Sequence, residues 1–478
     1  MQQVRFGIVG VGNMGSAHLS HILRGNVPEL KVTAVADINP ARLKAAKAAA
    51  EKAGQPIEGF PTAAALFESG LCDAVIIATP HYDHPPLVIE ALAHNLHVIT
   101  EKPAGVYTKQ VREMNEAAAK SDKLFAVMFN QRTNHIYRKM KELVSSGRYG
   151  EIRRTNWIIT DWFRCQSYYN SGGWRATWAG EGGGVLLNQC PHNLDLWQWI
   201  CGMPAKVRAF CKEGHFHEIE VEDDVTAYVE YPNGATGVFI STTGEFPGTN
   251  RFEIVLDRAT ILCENGKLSV FELEDSQQHF IDTCPEGFGR MDGGFIDIET
   301  DGENPQHDGV LRAFAAAILR GEPLIARGEE GINGLTLSNA MFLSSWLNET
   351  VTLPLDEELF YAELKKRIDS SKAKKESQDT VVIQCRGDVR FLKSLHGKDG
   401  CVYATNCYHR LRGIAQVHAL ALSERSDAHL VAAADCRLKR AEDFCARFGG
   451  APYQSFHELL QRERPDVIHL CTPHSLHV

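Results

Sequence analysis

Val4-Arg5-Phe6-Gly7-Ile8-Val9-Gly10-Val11-Gly12-Asn13-Met14-Gly15 is the stretch whose reading decides the fold. Its first half is an apolar run of strand length. Its second half is a G-x-G-x-x-G turn that opens a helix starting near Met14. A second strand, Lys31 to Ala36, ends on Asp37, about 20 residues after the last glycine, which is the spacing of a dinucleotide fingerprint. Gly10 permits the tight turn, Gly12 lets the backbone approach a pyrophosphate, and Gly15 lets the helix pack on the strand. The backbone N–H groups around Asn13 and Met14 would meet that pyrophosphate at the positive end of the helix. Asp37 would accept from the adenosine ribose hydroxyls and repel a 2'-phosphate, which favours NAD, while Arg42 keeps NADP open.

Working outward, the chain of 478 residues has room for two or three domains with full cores. A net charge of -10 argues against a nucleic-acid partner. There is no apolar run long enough to cross a membrane and no room for a signal peptide before Val4, so a cytoplasmic protein is expected. The 13 cysteines are odd in number and form no Cys-x-x-Cys pair. Cys72, Cys201 and Cys211 lie in apolar runs and read as reduced, buried thiols, with no metal site.

Past Asp37, Pro40 to Ala53 reads as an alanine-rich helix, Thr62 as the cap of the next, and Asp73 to Thr79 as a buried parallel strand. That strand runs into Thr79-Pro80-His81-Tyr82-Asp83-His84. Residues just past the carboxyl end of a parallel strand face the ligand crevice, so His81 and His84 are either site groups or helix caps. The strand Leu96 to Thr100 delivers Glu101-Lys102-Pro103 to the same edge. There Lys102 either stabilises an incipient alkoxide or pairs with Glu101 at the surface.

The fingerprint, the Thr79-Pro80-His81 turn, Glu101-Lys102-Pro103, and Gly182-Gly183-Gly184 followed by His192 together resemble the glucose-fructose oxidoreductase / inositol dehydrogenase / MocA family over about residues 1 to 365. The resemblance implies an α/β fold: an N-terminal doubly wound Rossmann domain, then an α+β domain with a large, open, mostly antiparallel sheet. It also implies NAD or NADP, a sugar, cyclitol or glycoside substrate, and a homodimer or homotetramer formed through the open sheet. Arg175 resembles the arginine that follows tryptophan in that family, near cofactor or substrate.

The expected boundaries are 1-128 for the dinucleotide-binding domain, 129-368 for the substrate and oligomerisation domain, 369-395 for a lysine-rich linker, and 396-478 for a partial Rossmann repeat. In the second domain, Trp162, Phe163, Tyr168, Tyr169, Trp174 and Trp178 crowd one loop, either as a sugar-binding mouth or as loop core. Asn188 stands where the family usually has an aspartate four residues before the histidine. It can bond a hydroxyl but cannot hold an imidazolium, so His192 is expected to be a neutral base. Pro191 should open a helix, with Asp195 on the face of His192 and orienting its ring. Tyr231-Pro232-Asn233-Gly234 and Glu264-Asn265-Gly266 read as hairpin turns. Gln306-His307 reads as structural, with reach to the substrate as the alternative.

The tail repeats the beginning: Val431 to Asp435 matches Thr33 to Asp37, and Asp466 to His477 matches Asp73 to His84. The sequence stops at Val478 before a second Glu-Lys-Pro, so this copy is not expected to be an independent enzyme. Arg410 and Arg412 replace its glycines and predict no dinucleotide binding; a one-base slip near Gly413, fusing two paralogous genes, would account for the loss. The reading is a dehydrogenase in which His192 takes the hydroxyl proton, Lys102 stabilises the alkoxide, and Asn188, Tyr168 and Trp174 hold substrate. A hydrolase or lyase that retains NAD and acts by transient oxidation is one alternative. A non-catalytic NAD sensor, favoured by Asn188, is the other.

Overall fold

The computed structural model describes residues 3–372, 401–404, 430–435, 437–463 and 467–470. Two compact units divide the chain, Met1–Thr380 and Val381–Val478. The linker from residue 373 on, Arg410, Arg412, Gly413 and the Thr472-Pro473-His474 turn lie outside the described residues.

The first unit opens with β1 (Val4–Val9), α1 (Asn13–Leu23), β2 (Leu30–Ala36), α2 (Pro40–Lys52), β3 (Glu58–Phe60), α3 (Ala63–Glu68), β4 (Ala74–Ile77), α4 (His84–Ala93), β5 (His97–Thr100), α5 (Thr108–Ala119) and β6 (Phe125–Val127). Its six strands are parallel, in the order β3-β2-β1-β4-β5-β6. The order reverses at β1 and β4, and a doubly wound sheet opens its ligand crevice beside that point, beyond the strand carboxyl ends. β4 is buried at every residue, as a strand covered on both faces must be. Thr62 caps α3, accepting from the Ala65 N–H at 3.2 Å.

After α6 (His135–Ser145) comes β7 (Ile152–Ile159), then the short helices α7 (Gln166–Asn170) and α8 (Val185–Asn188), and α9 (Pro191–Cys201). The expected helix at Pro191 is present, with the proline in its first turn. Asn188 closes the single turn of α8. Strands β8 (Lys206–Glu213), β9 (Glu222–Glu230), β10 (Thr236–Thr242), β11 (Asn250–Leu256), β12 (Ala259–Glu264), β13 (Lys267–Leu273), β14 (Gly293–Asp297) and β15 (Val351–Thr352) join β7 in a nine-stranded sheet. Its order is β14-β13-β12-β11-β7-β10-β9-β8-β15. Every pairing in it is antiparallel except β7 with β10. Both hairpin turns place Asn-Gly where positive φ is needed, with Gly234 at φ 86° and Gly266 at 71°. On the covered face, Trp157 stacks on Phe252 with centroids 4.2 Å apart. On the other face Phe210, Tyr228 and Phe295 stand exposed.

The long helices Gln306–Arg320 and Gly331–Leu347 return to the first sheet and to the second respectively; Phe314 joins the core of β1, and Phe342 packs edge-on against Trp178. Gly182 is at φ 81°, and a Cβ there would overlap Val106 after β5, while one on Gly184 would overlap the Glu222 carbonyl oxygen of β9. A side chain at Gly182 would therefore push this segment off the turn after β5, and one at Gly184 would push it off β9.

In the second unit the strands Ala451–Tyr453, Leu430–Ala434, Cys401–Ala404 and Val467–Leu470 pair in that order, all parallel. This reproduces the β3-β2-β1-β4 order of the first unit. The repeat extends to detail. Asp435 accepts from the Arg437 N–H at 2.9 Å, as Asp37 accepts from that of Asn39 at 2.8 Å. Eight cysteines among the described residues are free, Cys72 buried and Cys201 and Cys211 half-buried. No described helix is long and apolar enough to cross a membrane, and no metal-ligating cluster occurs among the described residues.

Candidate active site

The glycine turn is built as its sequence requires. A Cβ on Gly10 would stand 2.7 Å from the Ala78 carbonyl oxygen, and one on Gly15 would overlap the Gly10 oxygen. At Gly12 the nearest neighbour is Arg42 Nη1 at 3.9 Å, so the face of the turn stays open. No side chain caps α1, and Asn13 and Met14 are exposed at its start, which leaves first-turn N–H groups for an anion. Asp37 is held at the end of β2 by the Val11 N–H at 2.9 Å, with Arg42 3.9 Å away. Thr79 Oγ1 is buried beyond β4 without a partner. These residues fit a dinucleotide, and Gly10, Gly12, Asn13, Met14, Gly15, Asp37 and Thr79 would hold it.

Three expectations about neighbouring groups are corrected. His84 is buried, its ring nitrogens facing the carbonyl oxygens of Pro103 at 2.8 Å and Thr79 at 2.9 Å. It braces the two turns from beneath and does not reach the cleft. Lys102 does not pair with Glu101 at the surface, because Glu101 is buried and bonded to His18 at 2.7 Å. Asp195 does not orient His192. It forms a fork with Arg132, Oδ1 to Nη2 at 2.6 Å and Oδ2 to Nε at 2.8 Å, and His192 Nδ1 is buried without a partner. Helical spacing allowed contact with His192, but a buried guanidinium claims a carboxylate in two places.

What the structure does bring together is Lys102 and the segment from Tyr168 to His192. Lys102 Nζ donates to the Asn188 carbonyl oxygen at 3.0 Å, beside the start of α9. Burial lowers the Lys102 pKa, against the opposing pull of Glu101 and Glu181. His192 is held well below the ordinary histidine value, first by burial and then by the Lys102 charge, so its imidazole is neutral. His81 is likewise held neutral, chiefly by burial, its Nδ1 3.2 Å from the Glu181 carbonyl oxygen and its ring edge-on to Trp174. Exposed Pro80 turns the chain into this pocket.

Tyr168 and Arg175 are committed to each other: Arg175 Nη1 donates to the Tyr168 hydroxyl at 2.7 Å, and its guanidinium lies 4.5 Å over the Tyr168 ring and 4.8 Å over that of Trp174. Tyr168 donates to Asn188 Oδ1 at 3.1 Å. His307 lies edge-on to His18, 5.6 Å away, behind Glu101.

Two residues of this pocket are absent from the expectations above. Gln189 donates to the Tyr168 hydroxyl at 3.2 Å and leaves a buried, unpartnered Oε1. Glu181 is buried, bonds the Asn188 side-chain nitrogen, accepts from the Ala176 N–H at 2.6 Å and lies 3.5 Å from Arg175. The signal for Glu181 was present in the sequence, an acid immediately before the triple glycine in a chain that lacks one at 188.

Residues 4–129 and 412–478 match the description "Oxidoreductase family, NAD-binding Rossmann fold", and residues 137–262 match "GFO/IDH/MocA C-terminal domain". The chain is 25% identical to myo-inositol 2-dehydrogenase of Thermotoga maritima over 368 residues, 74% of this chain and 99% of that one. It is 29% identical to D-glucoside 3-dehydrogenase of Escherichia coli over 252 residues, 48% of this chain and 68% of that one. Among solved structures it is similar to the WlbA dehydrogenase of Chromobacterium violaceum, in complex with NADH and UDP-GlcNAcA. The TM-score is 0.64 at 28% identity, covering 74% of this chain and 97% of that one.

Proposed function

The chain belongs to the GFO/IDH/MocA family of oxidoreductases, and on that premise we propose that it oxidises a secondary alcohol of a sugar, cyclitol or glycoside, with NAD preferred over NADP. The observation that carries the reading is the meeting of Lys102 with the Asn188 carbonyl beside a neutral, unpartnered His192. NAD, when bound, supplies the carbon that accepts the hydride leaving the carbinol. His192, neutral and desolvated, takes the hydroxyl proton as general base. Lys102 places its ammonium against the oxygen as negative charge develops, in a site where burial makes that charge effective. Asn188 and Trp174 position the substrate ring, and Tyr168 and Arg175 hold Asn188. Asp37 accepts from ribose hydroxyls, and its charge disfavours a 2'-phosphate.

The exposed Phe210, Tyr228 and Phe295 on the sheet's free face support assembly into a homodimer or homotetramer, which sedimentation would test. The free thiols support a reducing, cytoplasmic compartment. Residues 1-128 and 129-368 are proposed as the cofactor and substrate domains, and 396-478 as the partial repeat. A screen of polyols and glycosides for formation of reduced nicotinamide, run on the wild type and on Lys102→Ala, tests the activity. Turnover by the wild type that the variant loses is expected; tight NAD binding with no turnover on any substrate would overturn it.

A further inference from the structure

We propose that Glu181 is the positioning carboxylate of this site: it fixes Asn188 as a hydrogen-bond donor and steadies the Lys102 ammonium, so that, beside the base His192, the pocket offers donors to the substrate oxygen. The inference deepens the dehydrogenase reading and rests on it for the identity of that oxygen.

A carboxylate only accepts hydrogen bonds, so the Asn188 group facing Glu181 is the amide nitrogen. Asn188 Oδ1 is then turned toward the Tyr168 hydroxyl at 3.1 Å and Gln189 Nε2 at 3.3 Å. The Tyr168 hydroxyl accepts from Arg175 and Gln189, which commits its own proton to Asn188 Oδ1. Both lone pairs of that oxygen are thus used, and the Asn188 side chain has one N–H left to offer. Lys102 spends one proton on the Asn188 carbonyl and has two left. Both groups can donate to one substrate oxygen, and they hold it most strongly as negative charge develops there on the way to the carbonyl.

Glu181 is fixed from both its main chain and its carboxylate. Its N–H bonds the Thr177 carbonyl at 2.9 Å, and its carboxylate holds the N–H of Ala176, a buried non-glycine residue at φ 56°. A left-handed conformation at such a residue is strain that persists only where surrounding contacts demand it. Glu101 and Glu181 raise the proton affinity of Lys102 and Arg175 and Arg164 lower it, with His81, His192 and His307 held neutral; burial raises the Glu181 pKa itself, opposed by Arg175, the Ala176 N–H, Asn188 and Lys102. Glu101 is already engaged by His18. Removing Glu181 therefore leaves two guanidiniums and one committed carboxylate around the ammonium, and Lys102 should lose its proton more readily.

The test uses Glu181→Gln, Asn188→Asp and the double variant, with lysine labelled at the ε carbon and Lys102 assigned by the signal lost in Lys102→Arg. In Glu181→Gln, Lys102 should bind its proton about tenfold less tightly, and kcat should fall about tenfold with little change in KM. Asn188→Asp sets two carboxylates in contact, which must share a proton, so its pH–rate profile should gain an ionisation above the ordinary carboxylate range. The double variant moves the single charge to 188, so Lys102 should regain most of its proton affinity while kcat stays low, because an aspartate at that position has no N–H to donate. Identical Lys102 titration in the wild type and Glu181→Gln, or a double variant whose Lys102 titrates as it does in Glu181→Gln, overturns the proposal. If Glu181→Gln does not fold, the missing ionisation in Asn188→Asp would overturn it alone. The Lys102 titration needs no turnover, so an inactive wild type would defeat the dehydrogenase reading and leave this one to be judged by the spectrum.

Discussion

The Lys102 ammonium donates to the main-chain carbonyl of Asn188 at 3.0 Å, tying the turn after β5 to the turn before α9. The two sheets contribute one partner each, so the site exists only where they are closed together. Lys102→Ala should reduce kcat about 10²- to 10³-fold, the scale of losing one preorganised donor to an oxyanion. It also removes a charge that helps keep His192 neutral, and His192 titrates in the direction opposite to that charge. The acid limb of kcat/KM, set by protonation of the base, should therefore lie well below pH of about 6.5 in the wild type and move upward in the variant. Steady-state rates across pH check both, and unchanged NADH affinity would show that the cofactor turn is intact.

Two glycines of the same turn should fail in different ways. Gly12 has room for a Cβ, with nothing nearer than 3.9 Å, whereas a Cβ on Gly15 overlaps the Gly10 carbonyl oxygen. Gly12→Ala should keep the stability of the wild type and lose NADH affinity, because the added methyl stands where a pyrophosphate must approach the backbone. Gly15→Ala should lose stability by roughly 1–3 kcal/mol, the range for overpacking. Thermal unfolding and fluorescence titration with NADH separate the two.

The contrast between those glycines was legible in the sequence, because a fingerprint's spacing states which atoms must come close. So were the strand ending at Asp37, the helix opened by Pro191 and the Asn-Gly turns, all of which are local patterns. The partner of Asp195 was not legible. Spacing along α9 offered His192, while Arg132 comes from the connection after β6, and nothing in local periodicity ranks a distant guanidinium above a near imidazole. Strand β14 escaped notice because every residue in it is exposed and its two glycines give no alternation. The parallel pairing of β7 with β10 was hidden for the same reason as Arg132: it is made by chain returning after α9 and two further strands.

Arg132 and Asp195 are each almost wholly buried, and Glu330 bonds the remaining guanidinium nitrogen at 2.6 Å. Removing one member of a buried pair leaves the other charged without compensation, at a cost of about 3–5 kcal/mol. Arg132→Leu should therefore lower the unfolding free energy by that amount in urea. Asp195→Asn should destabilise as well, yet leave the acid limb assigned to His192 where it was. A shifted limb at full stability would instead restore Asp195 as the orienting group of His192.

Glu101 and His18 make a different kind of buried contact, and its consequence is a dependence of stability on pH. Burial alone would raise the Glu101 pKa, but the hydrogen bond and charge of His18, with the charges of Lys102 and of His307, which takes up its proton only at a pH of about 4, pull it down to about 2. A carboxyl group whose pKa is lower folded than unfolded stabilises the fold above its unfolded pKa, near about 4.3, and loses that contribution as pH falls toward the folded value. The stabilisation at neutral pH is on the order of 3 kcal/mol. Between about pH 5 and pH 2 the wild type should lose this amount in addition to what its other carboxylates lose. Glu101→Gln, which keeps an acceptor for His18 but has no proton to take up, should start less stable and decline less steeply over that window. Urea unfolding at a series of pH values gives both slopes, and parallel slopes would show that Glu101 is not held ionised by His18.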